Sequence, residues 1–215
     1  MLLVISSTPK QEDIQWLFLS SCQRMINMFL LASKSPRRKE MMNQISSSFL
    51  TFSPDIDESV SLDLKDPIKI VKDISLRKAK KAKEEYKDLV IIAADTIVVF
   101  DNKIYGKPKD EEDAKRILRE LSGNTHEVIT AYTLIKDEKN ITNTVTSKVI
   151  FNELSDELIN GYVKSGSPLD KAGAYGIQDN DIFPIIKSYV GSYDNIKGFP
   201  VTEIQLDINK LLKNE

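Results

Sequence analysis

The chain has 215 residues but a single cysteine, Cys22, and a single histidine, His126. One cysteine cannot close an intramolecular disulfide, and the pair cannot build a zinc site of the Cys/His kind. A Ser–His–Asp triad would have to use His126, and no Gly-x-Ser-x-Gly elbow accompanies it. No apolar run reaches the ~18–20 residues that a membrane span requires. Charge of one sign is missing too: 30 Lys and Arg against 32 Asp and Glu leave a net charge of −2. That balance gives no electrostatic case for bulk nucleic-acid or membrane binding. What remains is an ordinary globular composition, 41% hydrophobic and 29% charged, at a length suited to one large domain or two small lobes. Any metal should be a hard cation held by carboxylates.

Residues 1–27 have short apolar runs interrupted by Lys10, Glu12 and Asp13, which is not the layout of a secretory signal. A dispensable extension, a targeting segment and an upstream start codon read as coding are the three readings. From Met28 the chain alternates strand-like and helix-like segments. MFLLAS (28–33) reads as a strand, after which Ser35 caps a helix with Pro36 at its first position. A helix is expected over 67–86, with Val71, Ile74, Lys78 and Ala82 on one stripe, and a strand over 89–100. Asp110 caps a helix carrying Ala114, Ile117, Leu118 and Leu121, which Gly123 stops. Residues 127–136 and 143–151 read as a hairpin, and a helix runs from Ser155 to Gly166. A Gly-, Asp- and Lys-rich loop fills 167–181. Pro184 demotes the strand 182–190 to a sheet edge, and the last helix presents Val201, Ile204, Ile208, Leu211 and Leu212 on one face. The pattern predicts an α/β fold on a mixed sheet with flanking helices.

The informative residues are charges where structure alone would not put them. Arg37 and Arg38 crowd a helix start that already carries positive partial charge. They are either a solvated basic end or, with the helix N–H groups, a cradle for phosphate. Asp95 interrupts an apolar strand, so it caps a turn, pairs with a buried base or holds a metal. Lys78 lies on the apolar stripe of its helix, where a lysine snorkels or is paired. Asp55-Ile56-Asp57-Glu58 reads as a solvated acidic loop or a ligand set, and Gly106-Lys107-Pro108 as a turn that fixes a lysine. The stretch from Asp170 to Gln178 has glycines that let backbone approach a ligand. His126 reads as a hydrogen-bonded structural residue rather than a catalyst. Together these supply cations for a polyphosphate and carboxylates for Mg²⁺, with no nucleophile stronger than water.

The segments LLASKSPRRKEMM, PDIDE, LRKAKKAK, IIAADTIVV, YGKPKDEEDA, LSGNTHEVITA, DKAGAYGIQ and KGFPVTE, in that order, closely resemble the Maf family of nucleoside triphosphate pyrophosphatases. The resemblance covers 28–212 and leaves out 1–27, so residues 28–215 are expected to form the catalytic domain. It implies two lobes around a deep cleft, similar to inosine-triphosphate pyrophosphatases, and hydrolysis between the α and β phosphates. Phosphoryl chemistry of this kind suits a divalent cation, Mg²⁺ or Mn²⁺, on Glu58 and Asp95, and the residues leave open which carboxylate is the metal ligand and which the general base. Asp95 would be the proton acceptor, with Glu58, Lys78 and Lys107 as catalytic partners. Arg37, Thr96 and Gln178 would select the base, while Ser33, Ser35 and Arg38 would face the phosphates. The expected substrates are dTTP, UTP and modified pyrimidine nucleotides, with a role in nucleotide-pool sanitation or division arrest. The expected setting is the cytoplasm, with a homodimer as the candidate assembly and no nucleic-acid or membrane partner. The alternatives are a 7-methyl-GTP pyrophosphatase and a nucleotide-sensing regulator with little turnover. Two departures stand out: Asp179-Asn180-Asp181 replaces the usual glycine after Gln178, and Phe199 replaces a common Leu.

Overall fold

The computed structural model describes residues 28–59 and 65–213. The expectations for 1–27, including Cys22, lie outside the described residues. Three strands, β1 (Phe29–Ala32), β2 (Phe49–Phe52) and β3 (Val90–Phe100), run parallel, with β1 between the other two. β3 is much longer than β1. Beyond its parallel partner it pairs antiparallel with β4 (Lys103–Tyr105) and with β5 (Thr125–Lys136). β5 continues into β6 (Lys139–Phe151) through a two-residue turn, and β7 (Ile186–Val190) closes the far edge. The result is one open seven-stranded mixed sheet in the order β2-β1-β3-β5-β6-β7, with β4 paired to β3.

Strand alternation divides the buried side chains between the two faces. Val90, Ile92 and Ala94 of β3, with Leu31, pack against α1 (Pro36–Met42) and the C-terminal helix α6 (Val201–Lys213). Ile91 and Ala93, with Leu30 and Ala32, pack on Ala79 and Ala82 of α2 (Pro67–Glu85). Farther along, Val98, Val128, Val149 and Phe151 form a second core. Against it pack α3 (Glu111–Leu121), through Ile117, Leu118 and Leu121, and α4 (Asp156–Lys164), through Ile159, Tyr162 and Val163. Each large apolar side chain so buried contributes about 1.5–3 kcal/mol, so the two cores define two lobes joined by the long strands β3 and β5.

The expected boundaries hold at the caps. Ser35, Asp110 and Ser155 accept from the backbone N–H three residues on, and Gly123 and Gly166 take positive φ after their helices. Five features differ from the pattern, the first being that β6 begins at Lys139 rather than at 143, because its first residues already pair with the end of β5 and leave only 137–138 as the turn. The short strands β2 and β4 and the one-turn helix α5 (Tyr193–Lys197) carry too few residues for a periodic signal. The expected strand 182–190 begins only at Ile186, because Pro184 sits in the preceding segment and Asn180 pins the strand start by bonding Ile186 N–H and C=O. Among the described residues no helix is long and apolar enough to cross a membrane.

Candidate active site

In the parallel trio, Ala32 of β1, Phe52 of β2 and Ala93 of β3 lie side by side. β1 and β2 end there and β3 continues, which opens a crevice at the carboxyl ends of the strands, the usual ligand position in open α/β sheets. A cavity of about 870 Å³ occupies it. Ser33, Ser35, Arg37, Arg38, Glu58, Lys78, Asp95, Thr96, Lys107 and Gln178 all line this one cavity. Its walls carry seven basic side chains and four acidic ones, an excess of positive charge that suits a polyanion.

Asp95 is the first residue of β3 past the end of β1 whose side chain points toward α2. Lys78, one turn beyond the buried Ile74 on the same helix stripe, reaches it: Nζ lies 2.6 Å from Asp95 Oδ1 and 2.7 Å from Glu58 Oε1. Lys78 and Asp95 are 14% and 13% exposed and Glu58 is 54% exposed, so one shielded ammonium joins a shielded carboxylate to an open one. Lys78 is therefore paired rather than snorkelling. The neighbouring Ser75 donates to Thr133 Oγ1, tying the same helix face to β5.

Thr96 points to the opposite face of β3, toward α1. Arg38 donates from Nη2 to Thr96 Oγ1 at 2.9 Å, from Nη1 to Ala94 O at 2.8 Å and from Nε to Gly198 O at 2.9 Å. Burial pulls its guanidinium below the ordinary value, opposed by the nearby Asp95 charge. Three of its five N–H groups are thus spent on the protein, making Arg38 a brace between α1, β3 and Gly198 more than an open phosphate clamp. Arg37 is also engaged, to Asp170 Oδ2 at 2.7 Å and Asp170 O at 3.1 Å, across the mouth of the cavity. Ser33 Oγ accepts from Ser35 N–H, and Ser35 Oγ from Arg38 N–H, so both hydroxyls shape the turn that opens α1.

On the second lobe, Lys107 is exposed and its ammonium has no hydrogen-bond partner among the described residues. The loop after α4 folds into three short 3₁₀ turns. Gly173 at φ +69° sits so close to Val98 that a Cβ would stand 2.8 Å from it. Lys171, only 6% exposed, donates to Ser167 O, Ser167 Oγ and Asp170 Oδ1. A lysine in a polar loop carries no periodic signal, so the residue order around Lys171 does not reveal this role. His126 is structural: its Nε2 lies 2.8 Å from Tyr175 OH, its ring stacks edge-on against Phe151 and Tyr175, and burial pushes it down to about 3.

No group of three or more His, Cys, Asp or Glu side chains gathers as a metal site among the described residues. Two carboxylates do converge on one ammonium, however, and that ammonium marks a place where positive charge is held between oxygen donors. Glu58 and Asp95 thus form a two-carboxylate set compatible with a hard divalent cation whose other ligands are waters and substrate phosphates.

Residues 28–211 match the family model described as Maf-like protein. A curated dTTP/UTP pyrophosphatase from Dictyoglomus turgidum is 42% identical over 183 residues, 84% of this chain and 94% of the relative. Its namesake from Dictyoglomus thermophilum is 38% identical over 184 residues, 85% and 95% of the two chains. A third dTTP/UTP pyrophosphatase, from Bacillus cytotoxicus, is 37% identical over 182 residues, 85% and 94%. The family match spans the strands and loops that build the crevice, and the chain belongs to the Maf family.

Proposed function

We propose that this chain hydrolyses pyrimidine nucleoside triphosphates, dTTP and UTP foremost, to the monophosphate and pyrophosphate. The observation that carries the reading is the Lys78 ammonium held between Asp95 and Glu58 in a cationic cleft. The curated relatives are named for this activity. Phosphoryl chemistry asks little covalent work of a protein; positioning and charge neutralisation supply most of the acceleration. Asp95 would accept the proton of the attacking water. Lys78 would hold Asp95 and Glu58 in orientation and neutralise part of the charge that develops nearby. Lys107, with no competing partner among the described residues, would grip the departing pyrophosphate. Ser33, Ser35 and Arg38 would frame the phosphate end, and Arg37, Thr96 and Gln178 the base end. Glu58 and Asp95 would hold Mg²⁺ or Mn²⁺, which supplies charge neutralisation at the phosphates and acidifies a bound water.

A cytoplasmic role in clearing unwanted pyrimidine nucleotides, as a monomer or homodimer, belongs to the same proposal. The test is a pyrophosphate-release assay with Mg²⁺ or Mn²⁺ over dTTP, UTP, ATP, GTP and 7-methyl-GTP. Fast release from dTTP and UTP and slow release from the purines is the expected result. Equal kcat/KM for dTTP and 7-methyl-GTP would overturn the pyrimidine assignment. Tight binding without pyrophosphate release would make the site a nucleotide sensor instead.

A further inference from the structure

The amide of Gln178 is held by one end only. Its Nε2 donates to Asp179 Oδ1 at 3.3 Å, while its Oε1 is buried with no hydrogen-bond partner among the described residues. Asp179 is itself surrounded by donors. Oδ2 accepts from Tyr162 OH and Ser167 Oγ, both at 2.7 Å, and Lys171 Nζ lies 3.8 Å away. Burial, reinforced by the bond to Asp179, raises the Tyr162 hydroxyl far above its ordinary value, so it stays a donor. An ionised carboxylate only accepts, so the amide must turn its NH₂ toward Asp179; the flipped amide would set oxygen against oxygen. Gly176 leaves room for that same end of the amide, since a Cβ there would stand 2.2 Å from Nε2.

We infer that Asp179 is a positioning residue for base selection: it takes up the amide donor of Gln178 and leaves Oε1 as the acceptor offered to the base. The inference rests on the reading that Gln178 meets the base. An acceptor in that place pairs with a ring N–H, such as N3–H of uracil or thymine. It opposes a ring nitrogen lone pair, such as N3 of cytosine, whose entry would leave Oε1 buried and unpaired. Mismatches of that kind discriminate more strongly than differences of shape.

The experiment compares kcat/KM for UTP and CTP in the wild type, Gln178→Ala and Asp179→Asn, with melting temperature recorded for each. Asn keeps the shape but offers both a donor and an acceptor, so it no longer dictates the amide. The wild type should prefer UTP by about a hundredfold. In Asp179→Asn that ratio should fall at least about tenfold, the loss lying in KM for UTP and not in kcat. A ratio near one in the wild type, or one unchanged in Gln178→Ala, overturns the base-reading role of Gln178 and the inference with it. A ratio that falls in Gln178→Ala but not in Asp179→Asn overturns the positioning role alone. If Asp179→Asn does not fold, NMR of the wild type decides. The side-chain NH₂ protons of Gln178 should keep their contacts to Asp179 when a non-hydrolysable UTP analogue binds. Transfer of those contacts to the pyrimidine ring overturns the inference.

Discussion

Asp95 stands between Ala94 and Thr96 on β3, where β1 has already ended and one flank of the strand is open. Its carboxylate is shielded and would be costly there without a partner, and Lys78 provides one at 2.6 Å. Asp95→Asn keeps the shape and removes the base. We expect pyrophosphate release to fall by about 10²–10⁴-fold, the range general-base removal produces. The melting temperature should stay near that of the wild type. Turnover close to wild type in a pyrophosphate assay would make Asp95 a structural partner of Lys78. Lys78→Ala should also abolish turnover, with a modest loss of stability from two neighbouring carboxylates left facing each other. A large drop in melting temperature with activity intact would mean that the lysine is only packing.

At the scale of the element, α1 is a two-turn helix whose basic residues fasten it to both lobes. The two adjacent arginines should behave differently because their partners differ. Arg38 satisfies Ala94 O, Gly198 O and Thr96 Oγ1 in a part-buried place. A lysine cannot reproduce a three-way fork, so Arg38→Lys should cost about 1–3 kcal/mol through acceptors left unpaired. Arg37 pairs with an Asp170 that is 52% exposed, and a surface pair of that kind is worth about 0–1 kcal/mol. Arg37→Ala should therefore leave chemical denaturation nearly unchanged while raising KM for the nucleotide. A denaturation midpoint that drops as far for Arg37→Ala as for Arg38→Lys would contradict this division.

The whole molecule should be acid-sensitive, for two reasons in different pH windows. His126 is buried neutral and held down to about 3, against 6.5 when unfolded. The unfolded chain thus takes up this proton first, and stability, complete above pH 6.5, declines toward pH 3 by up to ~1.4 kcal/mol per pH unit. At lower pH Asp207 follows. Burial raises its carboxyl, but bonds from Lys210, Tyr132 and Asn143 together outweigh that and hold it below 3.8. Its contribution is present above the unfolded value and is lost as pH falls through the folded one. Urea midpoints measured from pH 7 to pH 5 should decline in the wild type and stay flatter in His126→Phe. Parallel slopes in the two proteins would show that another group titrates.

Much of this molecule was legible from residue order, and the reason is locality. Caps, apolar stripes and the hairpin depend on neighbours within a few positions, so Ser35, Asp110, Ser155 and the faces of α2, α3 and α6 could be read directly. Asp95 and Lys78 stood out because each breaks a hydrophobic pattern, and the ordered motifs around them pointed to the family. The short elements β2, β4 and α5 left no such trace, being too brief for periodicity. Nor could order reveal partners. Arg38 finds its acceptors 56, 58 and 160 positions away, and Arg37 meets Asp170 across 133. The triplet after Gln178 read only as a departure, yet Asp179 gathers Tyr162, Ser167 and Gln178 around one carboxylate. Residue identity determined which chemistries were available, because side-chain charge and hydrogen-bonding capacity belong to the residue itself. Which of those groups stay free for a ligand and which are consumed inside the protein was decided by the tertiary structure, because hydrogen bonds are satisfied by whatever the fold brings within reach.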